Sequence, residues 1–172
     1  MQSPNSLTLN ASNEIVYTTG GSTFYQGLVR VTPTGMQRFA GQISHESLSD
    51  GKGSKAAFCY PKALQFADGY YWIADAENCA IRRVDTEGNV ITLAGGGHNS
   101  GATKCLCGKY QIAKQESTQF PSIFSQGPDA YTKNAKAIHI DLPGGIAVKN
   151  SGLIYFSDYG KYYKCIWKLT IK

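Results

Sequence analysis

Apolar and polar residues alternate in three widely separated stretches, each opening on a proline: Pro4-Asn5-Ser6-Leu7-Thr8-Leu9, Pro61-Lys62-Ala63-Leu64-Gln65-Phe66 and Pro143-Gly144-Gly145-Ile146-Ala147-Val148. A period of two puts successive side chains on opposite faces, so each stretch predicts a β-strand. Turn residues follow (Ala11-Ser12-Asn13, Ala67-Asp68-Gly69 and Lys149-Asn150-Ser151-Gly152), and then an aromatic run: Ile15-Val16-Tyr17-Thr18, Tyr70-Tyr71-Trp72-Ile73-Ala74-Asp75 and Leu153-Ile154-Tyr155-Phe156-Ser157-Asp158. Strand, turn and aromatic strand together predict a hairpin. A third run sets apolar residues around a basic one in Leu28-Val29-Arg30-Val31, Ile81-Arg82-Arg83-Val84 and Ile166-Trp167-Lys168-Leu169. A fourth closes the first two units, at Gly35 to Gly41 and Gly88 to Gly95, while the third unit reaches Lys172 before any counterpart.

Repeated four-strand units predict an all-β chain, a β-propeller of four-stranded antiparallel blades. The expected organisation is a blade over 4–41, a blade over 58–95, an inserted loop over 96–136 and an incomplete blade over 140–172. Pro4 and Pro61 are 57 positions apart and Pro61 and Pro143 are 82 apart. Both spacings exceed a standard blade, so loops are inserted between units. The longer insertion shows no sustained helical or strand period, and is expected to be an irregular excursion of the length that is usually functional or disordered. A blade buries its faces only against neighbours, so three blades form an incomplete ring. The chain is expected to be part of a propeller of six blades, or half of a ring completed by a partner or a second copy.

In the middle unit, Asp50-Gly51-Lys52-Gly53, Phe58, Pro61, Asp75, Asn78, Ile81, Arg82, Gly88 and Ala94-Gly95 follow one another in an order that resembles the NHL repeat. The other units depart from that pattern. The first has threonines where the strand-ending aspartate is expected, and the third has Tyr162-Tyr163-Lys164 in place of the Asn-containing turn. The resemblance implies a non-catalytic protein-interaction or scaffolding module whose partner is a protein or peptide. Two other outcomes stay open: a fragment of a secreted propeller enzyme similar to the zinc-dependent peptide-amidating lyase, and an RNA-binding NHL domain. The chain shows no G-x-S-x-G nucleophile motif, no H-E-x-x-H helix and no phosphate-cradling loop with a lysine, so neither catalysis nor a cofactor is expected of it.

Composition adds little to this picture. Nineteen Gly and 11 Tyr suit many turns and aromatic strands. The net charge of +5 divides into −1 over residues 1–100 and +6 over residues 101–172, but the lysines of the second half are spread singly. Nucleic acid is therefore the less favoured partner. No stretch approaches the roughly 20 apolar residues of a membrane span. Met1 leads into Gln2-Ser3-Pro4-Asn5 without a basic and apolar leader, as if the chain started inside a repeat.

The five cysteines, Cys59, Cys79, Cys105, Cys107 and Cys165, are numerous enough for a chain of this size to favour an extracellular or secretory-lumen setting, and their odd count is expected to leave at least one unpaired or paired outside the chain. Cys59 and Cys79 flank the first hairpin of the middle unit and form a candidate disulfide. Cys105-Leu106-Cys107 lacks zinc-site spacing, and His45, His98 and His139 stand in separate segments, so no metal site is expected. Asp75 and Asp158 end their strands, where a carboxylate ordinarily accepts turn hydrogen bonds. For binding, the candidates are Tyr159, Lys161, Tyr162, Tyr163 and Lys164 with Arg82 and Arg83, an aromatic and basic set able to grip a peptide or single-stranded RNA. The plain structural reading of the same cluster is a solvated turn whose tyrosines rest on the neighbouring blade.

Overall fold

The computed structural model describes residues 4–20, 25–43, 48–96, 118–119, 140–159 and 165–171. They form three antiparallel sheets. The first runs in chain order through β1 (Pro4–Leu9), β2 (Ile15–Thr19), β3 (Tyr25–Thr32) and β4 (Gly35–Ile43). In the second, β6 (Pro61–Ala67), β7 (Tyr70–Asp75), β8 (Ala80–Asp85) and β9 (Asn89–Gly95) repeat that order, and β5 (Gly51–Lys52) adds a fifth, outer strand against β9. The third consists of β11 (Pro143–Asn150), β12 (Leu153–Asp158) and β13 (Cys165–Ile171). Its outer place, which the sequence pattern leaves empty, is taken by β10 (Thr118–Gln119), two residues from the insertion paired with Thr170 and Ile171. Residues 97–117 and 120–136 of that insertion, with Cys105, Cys107 and His98, lie outside the described residues, as do His45 and His139.

Strand alternation gives the middle sheet two buried faces. Tyr71 and Ile73 of β7, with Leu64, Val84 and Val90, pack on Val16, Leu28 and Ala40 of the first sheet. Trp72 and Ala74, with Ile81 and Leu93, pack on Ile154, Phe156, Trp167 and Leu169 of the third. A strand buried on both faces loses the polar alternation of a half-exposed one, which is why β7 reads as a continuous aromatic and aliphatic run. Face-to-face packing of successive sheets around their first strands is the arrangement of a partial β-propeller.

Those first strands are also tied side by side. Ser6 Oγ accepts from Leu64 N at 3.2 Å and Thr8 Oγ1 from Phe66 N at 3.2 Å, so β1 satisfies two backbone donors on the otherwise unpaired edge of β6. Gln65 makes the corresponding link to β11, accepting from Val148 N at 2.8 Å and donating to Val148 O at 3.4 Å. An open strand edge is a liability, and these polar side chains cover it.

Candidate functional site

Five of the residues that carry the resemblance, Asp50, Phe58, Asp75, Asn78 and Arg82, meet in the middle sheet in one buried network. Arg82 has no exposed surface, and its guanidinium donates to Asp75 Oδ2 at 2.8 Å, Ala57 O at 2.9 Å, Ser49 O at 2.7 Å and Asp50 Oδ1 at 3.0 Å. It also lies 4.8 Å from the centre of the Phe58 ring. Asp75 accepts from Cys59 N at 2.9 Å and from the Asn78 side chain at 2.8 Å. Asp50 continues the network to β9, where Thr92 donates through its backbone N at 3.0 Å and its hydroxyl at 2.8 Å. Burial pushes the Asp75 carboxyl above its usual range, against the pull of the Arg82 charge.

This geometry corrects the placement of Arg82 in a binding surface. Its donors serve carbonyls of the segment that leads up to Phe58, and no part of it meets solvent. Asp158 repeats half of the arrangement in the third sheet, accepting from Asp141 N at 3.0 Å and Leu142 N at 2.8 Å. Both aspartates thus bind the segment that leads into their own inner strand, besides any role in the turn that follows. The register places Thr19 opposite Pro4 in the first sheet, where Asp75 and Asp158 stand opposite Pro61 and Pro143 in the others.

Arg83, next in sequence, points the other way. It is half-buried, 4.5 Å from the Tyr70 ring centre and 5.7 Å from that of Trp72. Tyr159 stands elsewhere, at the proline end of the inner strands, exposed and taking a hydrogen bond from Lys62 Nζ. The structure therefore separates Arg82 and Arg83 from Tyr159 rather than gathering them. Lys161, Tyr162, Tyr163 and Lys164 lie outside the described residues.

At the proline end the backbone brings an aromatic and a basic side chain together. Each inner strand slips register directly after its proline, between Pro4 and Ser6, between Pro61 and Ala63, and between Pro143 and Ile146. Such a bulge leaves a residue out of the ladder and re-aims its side chain. Asn5 thereby reaches Pro61 O at 3.1 Å, and Lys62 reaches Tyr159. Gly144 has no side chain to obstruct the Tyr159 ring; a Cβ there would come within 1.9 Å of Tyr159 Cε1. Tyr60, directly before Pro61, is exposed and held at φ 51° with its N donating to Gln26 Oε1 at 2.7 Å. Sequence reading missed Tyr60 and Lys62, because the signal was only the residues flanking a proline.

Cys59 and Cys79 are both buried, and the loops that carry them are joined by a hydrogen bond from Glu77 N to Cys59 O at 3.1 Å. Among the described residues, no group of three or more His, Cys, Asp or Glu side chains is placed to hold a metal ion. No helix among them is long and apolar enough to cross a membrane.

No protein-family model and no curated protein sequence matches the chain. Solved structures do. An auxiliary nutrient binding protein from Bacteroides ovatus matches over 96% of this chain and 37% of its own, with a TM-score of 0.63 at 17% identity. A protein of the same description from Bacteroides thetaiotaomicron gives 0.62 at 16% identity over 96% of this chain and 36% of its own. A structural genomics protein of unknown function from B. thetaiotaomicron gives 0.61 at 17% identity over 94% and 33%. The chain spans about a third of the length of these structures. At such identities the likeness is one of fold, and what the chain shares with them is a partial β-propeller.

Proposed function

We propose that the chain is a non-catalytic binding and scaffolding module of the NHL-propeller type, which engages a protein or peptide at the proline end of its inner strands. The observation that carries this reading is the recurrent bulge after each proline, which in the middle sheet brings Lys62 against the exposed Tyr159. Tyrosine rings offer rigid contact area with little rotamer freedom to lose, and the lysine adds an apolar stem with a charged tip, a combination that suits peptide capture. The ionisable groups of the family motif support a non-catalytic role, because Arg82, Asp75 and Asp50 bind one another and the backbone. Two fold neighbours described as auxiliary nutrient binding proteins are in keeping with a binding role. Lys161, Tyr162, Tyr163 and Lys164 join Tyr159 in this proposal through their place in the sequence.

The same reading includes a ring of six blades, a Cys59–Cys79 disulfide and an extracellular or secretory-lumen setting. The bridge is tested by alkylating the native protein with and without reductant; only the reduced sample should gain label at Cys59 and Cys79. Binding is tested by selecting peptides from a random library on the immobilised chain and titrating the enriched ones. Lys62→Ala and Tyr159→Ala should each weaken binding at least about tenfold, the scale of a truncated interface hot spot. Unchanged affinity in both variants would refute the assignment of this surface.

A further inference from the structure

One motif serves neither the proline end nor the buried network. Asn10-Ala11-Ser12 has the Asn-x-Ser/Thr pattern of an asparagine that accepts an N-linked glycan, and no other asparagine of the chain has it. Such triplets recur by chance, so the place of the asparagine in the fold decides whether it can carry a bulky, solvated group.

Asn10 opens the turn between β1 and β2, at the end of the hairpin opposite the prolines. Ala11, Ser12 and Asn13 are exposed. That exposure comes with the turn itself, because the middle sheet is covered on both faces and still leaves Asp68 and Gly69 of its corresponding turn exposed. The Asn10 side chain holds the turn together. Its Oδ1 accepts from Ser12 N at 3.0 Å and from Glu14 N at 2.9 Å, and its Nδ2 donates to Glu14 Oε2 at 2.7 Å. The same carboxylate oxygen lies 3.7 Å from Arg30 Nε, which ties the turn to β3. A carboxamide nitrogen carries two hydrogens, and the turn uses one of them. The second can be replaced by a sugar while every hydrogen bond of the turn is kept. The corresponding turns of the other sheets lack the pattern: Ala67-Asp68-Gly69 has no asparagine, and Asn150-Ser151-Gly152 has glycine where the hydroxyl is needed.

We propose that Asn10 is a site of N-linked glycosylation, an inference that rests on the extracellular or secretory-lumen setting proposed above. The co-reactant is an oligosaccharide joined through its anomeric carbon to a lipid pyrophosphate. Asn10 Nδ2 bonds to that carbon as the bond from the carbon to the pyrophosphate oxygen breaks. The lipid pyrophosphate leaves with the electron pair, and one Nδ2 proton is released. Six strand rises of about 3.3 Å separate Asn10 from Pro4, so the glycan projects roughly 20 Å from the proline end and leaves that surface open.

The test directs the full chain into the secretory pathway of cultured eukaryotic cells with a cleavable leader. The secreted protein is compared by gel mobility and peptide mass spectrometry before and after peptide-N-glycosidase F. The expected result is a retarded band that the glycosidase returns to the mobility of the 18.6 kDa chain, with aspartate left at position 10. Ser12→Ala leaves the Asn10 hydrogen bonds in place, since Ser12 contributes only its backbone N–H, and should lose the glycan altogether. Ser12→Thr should keep it. A secreted chain unmodified at Asn10, or a retarded band that survives Ser12→Ala, would overturn the inference and leave the proposed setting standing. The same treatment of the protein isolated from its own cells tests the setting: an unmodified chain there, with free thiols at Cys59 and Cys79, would overturn the setting and this inference together.

Discussion

Replacing Arg82 by methionine keeps most of the side-chain volume and removes the charge, so it isolates what the buried network contributes. Four hydrogen bonds at 2.7–3.0 Å disappear, and Asp75 is left in the interior with Asn78 and the Cys59 N–H as its remaining partners. Removing one member of a buried ion pair costs about 3–5 kcal/mol, chiefly because the other charge stays desolvated. That is a large share of the roughly 5–15 kcal/mol typical of a folded domain, and at about 2–4 °C per kcal/mol it lowers Tm by on the order of 10 °C.

The loss should depend on pH. Burial raises the Asp75 pKa, and without Arg82 only the hydrogen bonds from Asn78 and the Cys59 N–H oppose that rise, so the folded state holds its proton more tightly than the unfolded chain. Stability then falls as pH rises from about 3.9, the ordinary aspartate value, through the raised folded value, and the variant's deficit is smallest in acid. Asp75→Asn in the Arg82→Met background should recover part of the deficit at neutral pH. Urea unfolding at several pH values gives these numbers directly. Arg83→Met is the control, because a half-exposed cation over two rings is worth about 0.5–1 kcal/mol. If Arg82→Met lost no more stability than Arg83→Met, the network would be incidental to folding.

Gly41 lies at φ 125°, and a Cβ there would meet Gln26 O at 2.1 Å, so Gly41→Ala should destabilise the first sheet by at least about 1–3 kcal/mol, read in the same unfolding assay. Partial burial of Asp85 opposes ionisation, but hydrogen bonds from Asn89 and from the Glu87 N–H hold its carboxyl below the usual range. Its contribution is present above about pH 3.9 and is lost as pH falls through the lower folded value, so Asp85→Ala should flatten the acid end of a Tm-against-pH profile. Gly144→Ala should displace the Tyr159 ring and reduce peptide affinity as Tyr159→Ala does, with little change in Tm, which a paired titration and melt would show.

The strands, their order and the hairpins were legible in the chain, because a period of two interrupted by proline, glycine and asparagine is a local signal read within a few residues. The candidate site was less so. Tyr159 stood out as part of an aromatic and basic run, yet its partner Lys62 is 97 positions away in sequence, and only the packing of β11 beside β6 brings them together. Ser6, Thr8 and Gln65 read as the solvent-facing half of an alternating strand, whereas they bridge one inner strand to the next.

What the sequence by itself determined is the repeat: which residues form strands, where they turn, and that three strands recur in every unit with a fourth in the first two. Tertiary structure alone decided which face of each strand is covered, that Arg82 points inward while Arg83 points outward, and that β10 fills the outer place of the third sheet. The division has a physical cause. Strand formation follows from neighbours along the chain, while burial and charge pairing follow from neighbouring sheets, and two adjacent arginines on one strand necessarily face opposite ways.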